Sequence, residues 1–274
     1  MPGLISMPDR PPAHAITITD ADDPRIAIFR TIRDRALIRE EGIFIVEGEN
    51  PVLRLLASAF ETRSVLVSEQ RLERIASWVP ASVPLYVASA SLLEQVPGFV
   101  FNRGVLACGV RRALPSLPAL LDSLRPPATL LVCCGIGDAE NLGQILRSAS
   151  ALGAAGVLFG GGTIDPFYRR VIRVSMGTLF SLPLAESADL ETDLVLLKTH
   201  GFSLFATHLG TGSTPLERVQ PAALNALLIG NESAGLPEAL VRLASARVVI
   251  PMRNGVDSLN VAAAAAIVLY HFRV

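Results

Sequence analysis

The sequence TLLVCCGIGDAENLGQILR at residues 129–147 passes from an apolar run through a polar turn into a helical pattern. Residues 129–134 have the length and apolarity of a buried strand, and residues 142–152 repeat apolar side chains at helical spacing. The same alternation continues along the rest of the chain. Further strands are predicted at 156–159, 203–206, 226–229 and 248–250, and further helices at 166–175 and 261–272. Buried strands that alternate with helices predict an α/β fold with a mostly parallel sheet.

The first half of the chain predicts a smaller α/β domain. A helix dense in arginine is predicted over 26–41, and short apolar strands follow at 43–46, 64–68, 84–88 and 105–110 with helical patterns between them. Four prolines near the N-terminus predict a flexible leader, and a second group of prolines around residue 120 predicts a linker. We therefore divide the chain into a leader (1–20), a first domain (21–112), a linker (113–127) and a second domain (128–274).

The composition excludes several classes of protein. Lys plus Arg number 24 and Asp plus Glu number 25, so any binding to RNA must come from local basic patches. The three cysteines show no CxxC spacing and the four histidines no ligand-like spacing, which predicts reduced thiols and no metal site. Residues 1–15 do not resemble a signal peptide, and the apolar stretch 259–270 is shorter than the roughly 18 residues that span a bilayer. We expect a cytoplasmic protein that does not enter the membrane.

Three segments place glycines and polar residues directly after a predicted strand, where ligands bind in open α/β sheets. They lie at 137–147, 228–236 and 250–262. In the first segment Asn141 is placed to cap the helix, and Arg147 is placed to project from the helix flank toward an anion. In the third, Ser258 or Asn260 is placed to cap the last helix. Each segment taken alone is better explained as an ordinary helix start than as a functional site.

Together, and in this order, the three segments resemble the signature motifs of the TrmH (SpoU) family of SPOUT-class RNA 2'-O-ribose methyltransferases. The matching elements are an asparagine-to-arginine motif, a glycine-asparagine-glutamate turn, and an isoleucine-proline-methionine stretch leading to serine-leucine-asparagine, at 141–147, 230–232, 250–252 and 258–260. The resemblance covers about 128–274 and includes Asp165-Pro166 and residues 173–177. A looser similarity at 43–48 and 102–106 concerns the accessory substrate-binding domain of the same family.

The resemblance implies a fold and an assembly that periodicity does not reveal. The C-terminal SPOUT domain would contain a deep trefoil knot, an arrangement almost absent from other proteins. The small N-terminal α/β domain would have the fold of ribosomal protein L30e and bind the RNA substrate. The protein would form a homodimer with its active sites near the subunit interface.

The resemblance also implies S-adenosyl-L-methionine as the cofactor, held largely by backbone groups. By matching position, Gly230, Ile250 and Leu259 would contact it, and Thr207 is a further candidate at the end of its strand. The reaction would be attack of a ribose 2'-hydroxyl of tRNA or rRNA on the cofactor methyl group. The protein must then align the nucleophile with the methyl group and favour loss of the hydroxyl proton.

The polar candidates for this chemistry are Asn141, Arg147, Glu232, Ser258 and Asn260. A guanidinium keeps its proton at neutral pH, so we favour for Arg147 a role in clamping a phosphate and stabilising a developing alkoxide. A general-base role for Arg147 is the alternative implied by analogy with the family. We expect Glu232 to position Asn141 or a backbone amide by a hydrogen bond. Ser258 and Asn260 serve helix capping as much as substrate contact.

Basic side chains are the remaining indication of RNA. The candidates for phosphate contact are Arg30, Arg33, Arg103 and Arg173, which belong to three arginine clusters. Each cluster is explained equally well as a solvated surface. If they act together, they would bind phosphates with salt-sensitive affinity.

Two alternatives stay open at this point. Gly135 and Gly137 fit the start of a dinucleotide-binding fingerprint of an NAD-dependent Rossmann oxidoreductase, but the third glycine position is occupied by Glu140. A catalytically inactive knotted RNA-binding protein would keep the fold, although the presence of Arg147 and of all three motifs argues against lost activity. The motifs fit a housekeeping enzyme and an antibiotic-resistance enzyme equally. Cofactor binding separates the classes, because only the methyltransferase should bind S-adenosyl-L-methionine.

Overall fold

The computed structural model describes residues 15–30, 40–96 and 104–273. The chain divides into two compact units. The first contains the described residues up to Arg112 together with Phe167–Phe180, and the second contains Ala113–Pro166 and Ser181–Val274. The division near residue 112 lies where the prolines begin, but the residues predicted as a linker belong to the second unit. Phe167–Phe180, predicted within the second domain, belongs to the first unit.

The first unit is built on a five-stranded mixed sheet. In chain order its strands are β1 (Ala15–Thr17), β2 (Ile43–Glu47), β3 (Thr62–Ser68), β4 (Leu85–Ala88) and β5 (Val105–Val110). The spatial order is β1-β4-β3-β5-β2, with β5 antiparallel to both of its neighbours and β4 parallel to its own. Helices precede or connect these strands: α1 (Ala27–Arg30), α2 (Glu49–Leu56), α3 (Leu72–Ala76) and α4 (Ala90–Gln95).

The second unit is built on a seven-stranded sheet. Its strands are β6 (Ala128–Cys133), β7 (Gly156–Phe159), β8 (Leu184–Glu186), β9 (Ser203–Thr207), β10 (Thr214–Pro215), β11 (Leu224–Ile229) and β12 (Ala246–Val249). The order is β10-β12-β9-β11-β6-β7-β8, and every pairing is parallel. The prediction of an α/β fold with a parallel sheet is confirmed.

Helices follow most strands of the second half of the chain, as a parallel sheet requires. They are α5 (Leu117–Leu121), α6 (Ala139–Ala151), α7 (Arg169–Val174), α8 (Leu190–Thr199), α9 (Glu238–Leu243) and α10 (Val261–His271), of which α7 lies in the first unit. Helix α6 packs against α10. No helix among the described residues is long and apolar enough to cross a membrane.

Two segments near the proline groups are more ordered than their composition predicts. Ala15–Thr17, within the predicted leader, pairs with Leu85–Val87 as an edge strand. Helix α5, within the predicted linker, buries Leu117 and Leu120 in the core of the second unit. Proline is tolerated in the first turn of a helix, and Pro118 occupies that position in α5, so the proline starts the helix instead of breaking it.

An aromatic cluster attaches Phe167–Phe180 to the first unit. The ring of Phe44 on β2 lies 5.2 Å from that of Phe167 and 5.5 Å from that of Phe180, and Phe60 contacts both. Gly109 on β5 makes room for this cluster, because a Cβ atom there would lie 2.3 Å from the Phe44 ring. Buried Glu47 also pairs with Arg169 of α7. Apolar contact and a buried ion pair thus fix α7 to the sheet of the first unit.

We expect Phe167→Ala to destabilise the first unit by about 3–5 kcal/mol, because it removes a buried ring and leaves a cavity beside Phe44 and Phe180. Urea unfolding can be followed through the emission of Trp78, the chain's one tryptophan, which lies in this unit. Ile16→Ala, at a residue that is 37% exposed, is the control and should shift the midpoint far less. Equal midpoints for the two variants would contradict the role assigned to the aromatic cluster.

Candidate active site

Two polar turns meet at the carboxyl edge of the seven-stranded sheet. Strands β6 and β11 are neighbours, and Cys133 lies opposite Ile229 where both strands end. The side-chain amide of Asn231 donates a 2.7 Å hydrogen bond from Nδ2 to the carbonyl oxygen of Gly135. This bond ties the turn that follows β11 to the turn that follows β6.

The turn after β11 closes tightly on itself. Asn231 and Gly235 exchange two backbone hydrogen bonds, and the Oδ1 atom of Asn231 accepts from the amides of Ser233 and Ala234. Gly230 touches the far side of this turn, because a Cβ atom there would lie 2.4 Å from the carbonyl carbon of Gly235. Only glycine fits at this close approach of two backbone segments.

Helix α6 begins at Asp138, whose side chain accepts from the amides of Glu140 and Asn141. The prediction that Asn141 caps this helix is therefore wrong, because Asp138 already satisfies the free amides of the first turn. The side chain of Asn141 is left available for other partners. It donates from Nδ2 to Oε1 of Glu232 at 2.9 Å, which confirms the predicted hydrogen bond between these residues.

Asn260 joins this contact to the last helix. Its Oδ1 atom accepts from the amides of Ala262 and Ala263 at the start of α10, as an N-cap does, and its Nδ2 atom donates to Oδ1 of Asn141 at 2.9 Å. The bonds run from Asn260 to Asn141 to Glu232 and orient the Asn141 amide, since its oxygen must face Asn260 and its nitrogen must face Glu232. One polar group from each of the three sequence segments meets here.

A cavity of about 410 Å³ lies beside the turn of residues 230–236. All four residues predicted to contact the cofactor line it: Thr207, Gly230, Ile250 and Leu259. Ser258 also lines it, is exposed, and makes no hydrogen bond with another described residue. Apolar side chains form much of the remaining wall, including Leu216, Leu236, Val248 and Val268. The cavity combines apolar walls with polar turn atoms, as is typical of small-molecule sites.

The end of β9 adds polar atoms that the motifs did not identify. The Thr207 hydroxyl donates to the carbonyl oxygen of Leu228 at 2.9 Å, which leaves its oxygen lone pairs as acceptors. Nδ1 of His208, which also lines the cavity, accepts from the amide of Gly210 at 3.0 Å, so the neutral ring carries its proton on Nε2. The sequence signal for His208 was its position directly after a buried strand, next to Thr207.

Arg147 stands apart from the hydrogen-bonded residues. It lies on α6 and is exposed, and its side chain makes no hydrogen bond or ion pair with any described residue. It does not line the cavity. The structure brings Asn141, Glu232 and Asn260 together and leaves Arg147 as a free cation on the helix that carries Asn141.

The arginines predicted to contact RNA differ in their surroundings. Arg30 donates to the carbonyl oxygen of Ala21 and pairs with Asp22 at 3.2 Å. The side chain of Arg173, half-buried on α7, makes no hydrogen bond or ion pair with another described residue. Arg33 and Arg103 lie outside the described residues.

All three cysteines of the chain are buried as free thiols. Burial raises the pKa of the Cys133 thiol to about 12 and that of Cys108 to about 11, so both stay protonated and poorly nucleophilic at neutral pH. Within the part of the chain that the structure describes, no three His, Cys, Asp or Glu side chains are grouped as metal ligands would be.

The SpoU rRNA Methylase family model matches residues 128–270, the stretch that carries the three converging turns. The chain belongs to this family. A SpoU relative from Mycobacterium tuberculosis, named an uncharacterized tRNA/rRNA methyltransferase, is 40% identical over 261 residues, which are 92% of this chain and 90% of the relative. The 23S rRNA (guanosine(2553)-2'-O)-methyltransferase RlmP of Bacillus subtilis is 27% identical over 256 residues, 93% of this chain and 98% of the relative.

A solved structure of an rRNA methyltransferase is similar to this chain over nearly its whole length. The AdoMet-bound rRNA methyltransferase of Sinorhizobium meliloti superimposes with a TM-score of 0.81 at 27% identity, covering 95% of this chain and 98% of the other. The similarity extends beyond the segment that defines the SpoU family and includes the first unit.

We expect Gly230→Ala to destabilise the SpoU segment by roughly 1–3 kcal/mol, because the new methyl group would overlap the backbone of Gly235. Chemical denaturation followed by far-UV circular dichroism measures the change. Gly161→Ala is the matched control, since a Cβ atom at residue 161 would meet no atom within 4 Å. Unfolding free energies that are the same for both variants would show that the turn after β11 adapts to a side chain.

Proposed function

We propose that the protein is a cytoplasmic, S-adenosyl-L-methionine-dependent RNA methyltransferase that modifies a ribose 2'-hydroxyl in tRNA or rRNA. The observation that carries this proposal is the meeting of Asn141, Glu232 and Asn260 beside a cavity lined by Gly230 and Leu259. Membership of the SpoU family supports RNA methylation. The 2'-O-methyltransferase among the relatives supports the ribose hydroxyl as the acceptor, and the AdoMet-bound neighbour supports the cofactor.

The cavity fits such a cofactor in size and chemistry. Its volume lies in the range of about 300–1,000 Å³ that small-molecule sites occupy. The wall residues Leu236, Val248 and Val268 suit an adenine ring, and the backbone at 230–236 and 250–252 offers amides and carbonyls for polar groups. Glycine at 230 lets residues 235–236 pack directly against the end of β11, and this tight turn forms part of the cavity wall.

The bound cofactor supplies an electrophilic methyl group. Transfer would join the methyl carbon to the 2'-oxygen, leave the cofactor sulfur as a neutral thioether, and release the hydroxyl proton to water. The Arg147 guanidinium has no partner to be displaced among residues 15–30, 40–96 and 104–273, so it can hold a phosphate next to the reacting ribose and stabilise negative charge on the 2'-oxygen. Asn141, held by Asn260 and Glu232, and exposed Ser258 orient the ribose.

The proposal extends to the architecture. The first unit would be the L30e-like domain that binds RNA, with Arg30, Arg33, Arg103 and Arg173 as phosphate contacts. The second would contain the deep trefoil knot. The order of the strands supports the knot. In the chain β11 comes after β9, but in the sheet it lies between β9 and β6, the first strand of this sheet in chain order.

A homodimer is proposed from the surface of α10. Its eleven residues include no Asp, Glu, Lys or Arg, and Ala263, Ile267 and Tyr270 are exposed at helical spacing along one face. Ile267 is 41% exposed and Tyr270 is 57% exposed. A second copy of the same helix would remove this apolar stripe from water, and the start of α10 at Asn260 would bring the interface close to the site.

Calorimetric titration with S-adenosyl-L-methionine and with NAD tests the cofactor, and binding of the former alone is expected. The acceptor is then identified by incubating total tRNA and rRNA with cofactor labelled in the methyl group. A 2'-O-methyl group prevents alkaline cleavage of the adjacent phosphodiester, so label that survives in alkali-resistant dinucleotides identifies the ribose. Label on a base would contradict the proposed acceptor, and NAD binding would favour an oxidoreductase.

Arg147→Ala should lower methyl transfer by at least about a hundredfold, because the developing alkoxide loses its cation, while affinity for S-adenosyl-L-methionine stays unchanged. Arg242→Ala, which removes an exposed arginine from α9, is the control with the same change in charge and should keep full activity. Parallel loss of rate and of cofactor affinity in Arg147→Ala would place this residue in the cofactor site or the fold instead.

Ile267→Asp should convert the dimer into monomers, because it places a charge at the centre of the apolar face of α10. Analytical ultracentrifugation over a range of concentrations measures the mass. Val195→Asp, at a valine on α8 that is 49% exposed, should leave the dimer intact. A wild-type protein that sediments as a monomer would overturn the proposed assembly.

A further inference from the structure

The chain's one tryptophan lies on the surface of the first unit. Trp78 is 48% exposed and follows α3, and its amide donates to the carbonyl oxygen of Ile75 at 2.9 Å. The neighbouring Ile75 and Val79 are buried, so the backbone around Trp78 is anchored while the indole faces water. A large apolar ring held in water on an anchored backbone is poised to be covered by a partner.

Two arginines share the side of this helical segment on which Trp78 lies. Arg71 ends the 3-10 turn before α3, Arg74 lies within α3, and Trp78 lies in the turn after it, so the three follow one another at intervals of three and four residues, the spacing of neighbours on one side of a helix. Both guanidiniums lie near one carboxylate, that of Glu49, at 3.3 and 3.6 Å. Glu69 and Glu73 lie two residues from Arg71 and therefore point away from this face. The segment therefore carries its two arginines on one side and its two glutamates on the other.

Glu49 orients the two arginines without saturating them. Each guanidinium has five N–H donors, and the one hydrogen bond to Glu49 comes from Nη1 of Arg71. The Arg71 side chain is 40% exposed and that of Arg74 is 57% exposed. Two cations that share one carboxylate keep a net positive charge, and both side chains keep exposed surface. Two guanidiniums held side by side in this way suit the oxygens of a phosphate.

From these contacts we infer that Arg71, Arg74 and Trp78 form a binding site for an unpaired RNA nucleotide. The base stacks on the indole of Trp78, and the adjacent phosphate is held by the two guanidiniums. A paired base has its faces covered by its neighbours in the helix, so stacking on a side chain selects a loop, bulge or single strand. The inference deepens the proposed function and rests on it, since it names the part of the RNA that the first unit recognises.

The surroundings of the indole favour RNA over a protein partner. Apart from Ile16, Trp78 is the one large hydrophobic residue that is exposed in the described part of the first unit. Its sequence neighbours Ser77 and Pro80 are exposed, and Arg74 is charged. Protein interfaces bury a contiguous apolar core, whereas a single aromatic ring beside cations matches one nucleotide.

Tryptophan emission provides a direct test, because all of it comes from Trp78. The full-length protein is titrated with a short single-stranded RNA of mixed sequence, with the same RNA as a blunt duplex, and with an abasic strand of equal length. We expect the single strand to quench the emission and the other two to leave it nearly unchanged. Quenching that is equal for the abasic strand would overturn stacking on the base.

Variants separate the contributions of the ring and the charge. Trp78→Ala should weaken binding of the single strand by about tenfold or more, and Trp78→Phe, which keeps a ring, should lose less. Arg74→Gln should lower the slope of log affinity against log salt by about 0.7, the value for one phosphate contact with a single strand. Glu73→Gln, next to Arg74 but on the other side of the helix, should bind at least as well as the wild type. Binding is measured by fluorescence anisotropy of labelled RNA.

Cofactor affinity and the labelling of bulk RNA are measured on the same variants. Intact cofactor binding with unchanged RNA affinity in Trp78→Ala would overturn this site and leave the proposed function standing. Failure of the wild type to methylate any RNA would remove the proposed function itself. A change in Trp78 emission that follows protein concentration without RNA, together with a rise in mass, would assign the patch to contact between copies of the chain and overturn the inference.

Discussion

The pairing of β6 with β11 is the constraint on which the site depends. These strands are distant in the chain, yet Cys133 lies opposite Ile229 and both strands end at the same edge of the sheet. A shift of one residue in this register would move Asn231 by about 3.3 Å and turn its side chain to the other face. The bond from Asn231 to Gly135 would break, and Glu232 would move away from Asn141. Backbone hydrogen bonds of the sheet therefore set the distances between the polar groups.

The parts of the fold that the sequence predicted are those with a strong local signal. The strand 156–159 and the strand 105–110 are uninterrupted apolar runs, and their observed bounds match. The last helix was predicted because its sequence is rich in alanine, which favours a helix over a strand or a loop. The meeting of the three polar segments could be expected because all strands of a parallel sheet present their carboxyl ends at the same edge.

Other features depend on contacts that no local pattern records. Asp138 and Asn141 are both of residue types that cap helices, and the backbone conformation of the turn places Asp138 at the N-cap. The side chain of Asn141 is therefore free to bond to Glu232. Strand β8 is three residues long, too short for alternation to be visible. Helix α8 has consecutive leucines at 196 and 197 instead of a clear stripe, so its pattern is weak. His208 lines the cavity only because segments that are distant in the chain enclose it together with His208, so no local pattern identifies this residue.

The attachment of Phe167–Phe180 to the first unit has a consequence for biosynthesis. A ribosome delivers the residues up to Arg112 well before it delivers Phe167 and Phe180, and until then the ring of Phe44 lacks two of its partners and Glu47 lacks Arg169. The N-terminal part of the chain therefore cannot complete its packing while it emerges, although domains commonly fold in order of synthesis. The nascent chain must hold an unfinished aromatic surface until the first strands of the second sheet have also been made.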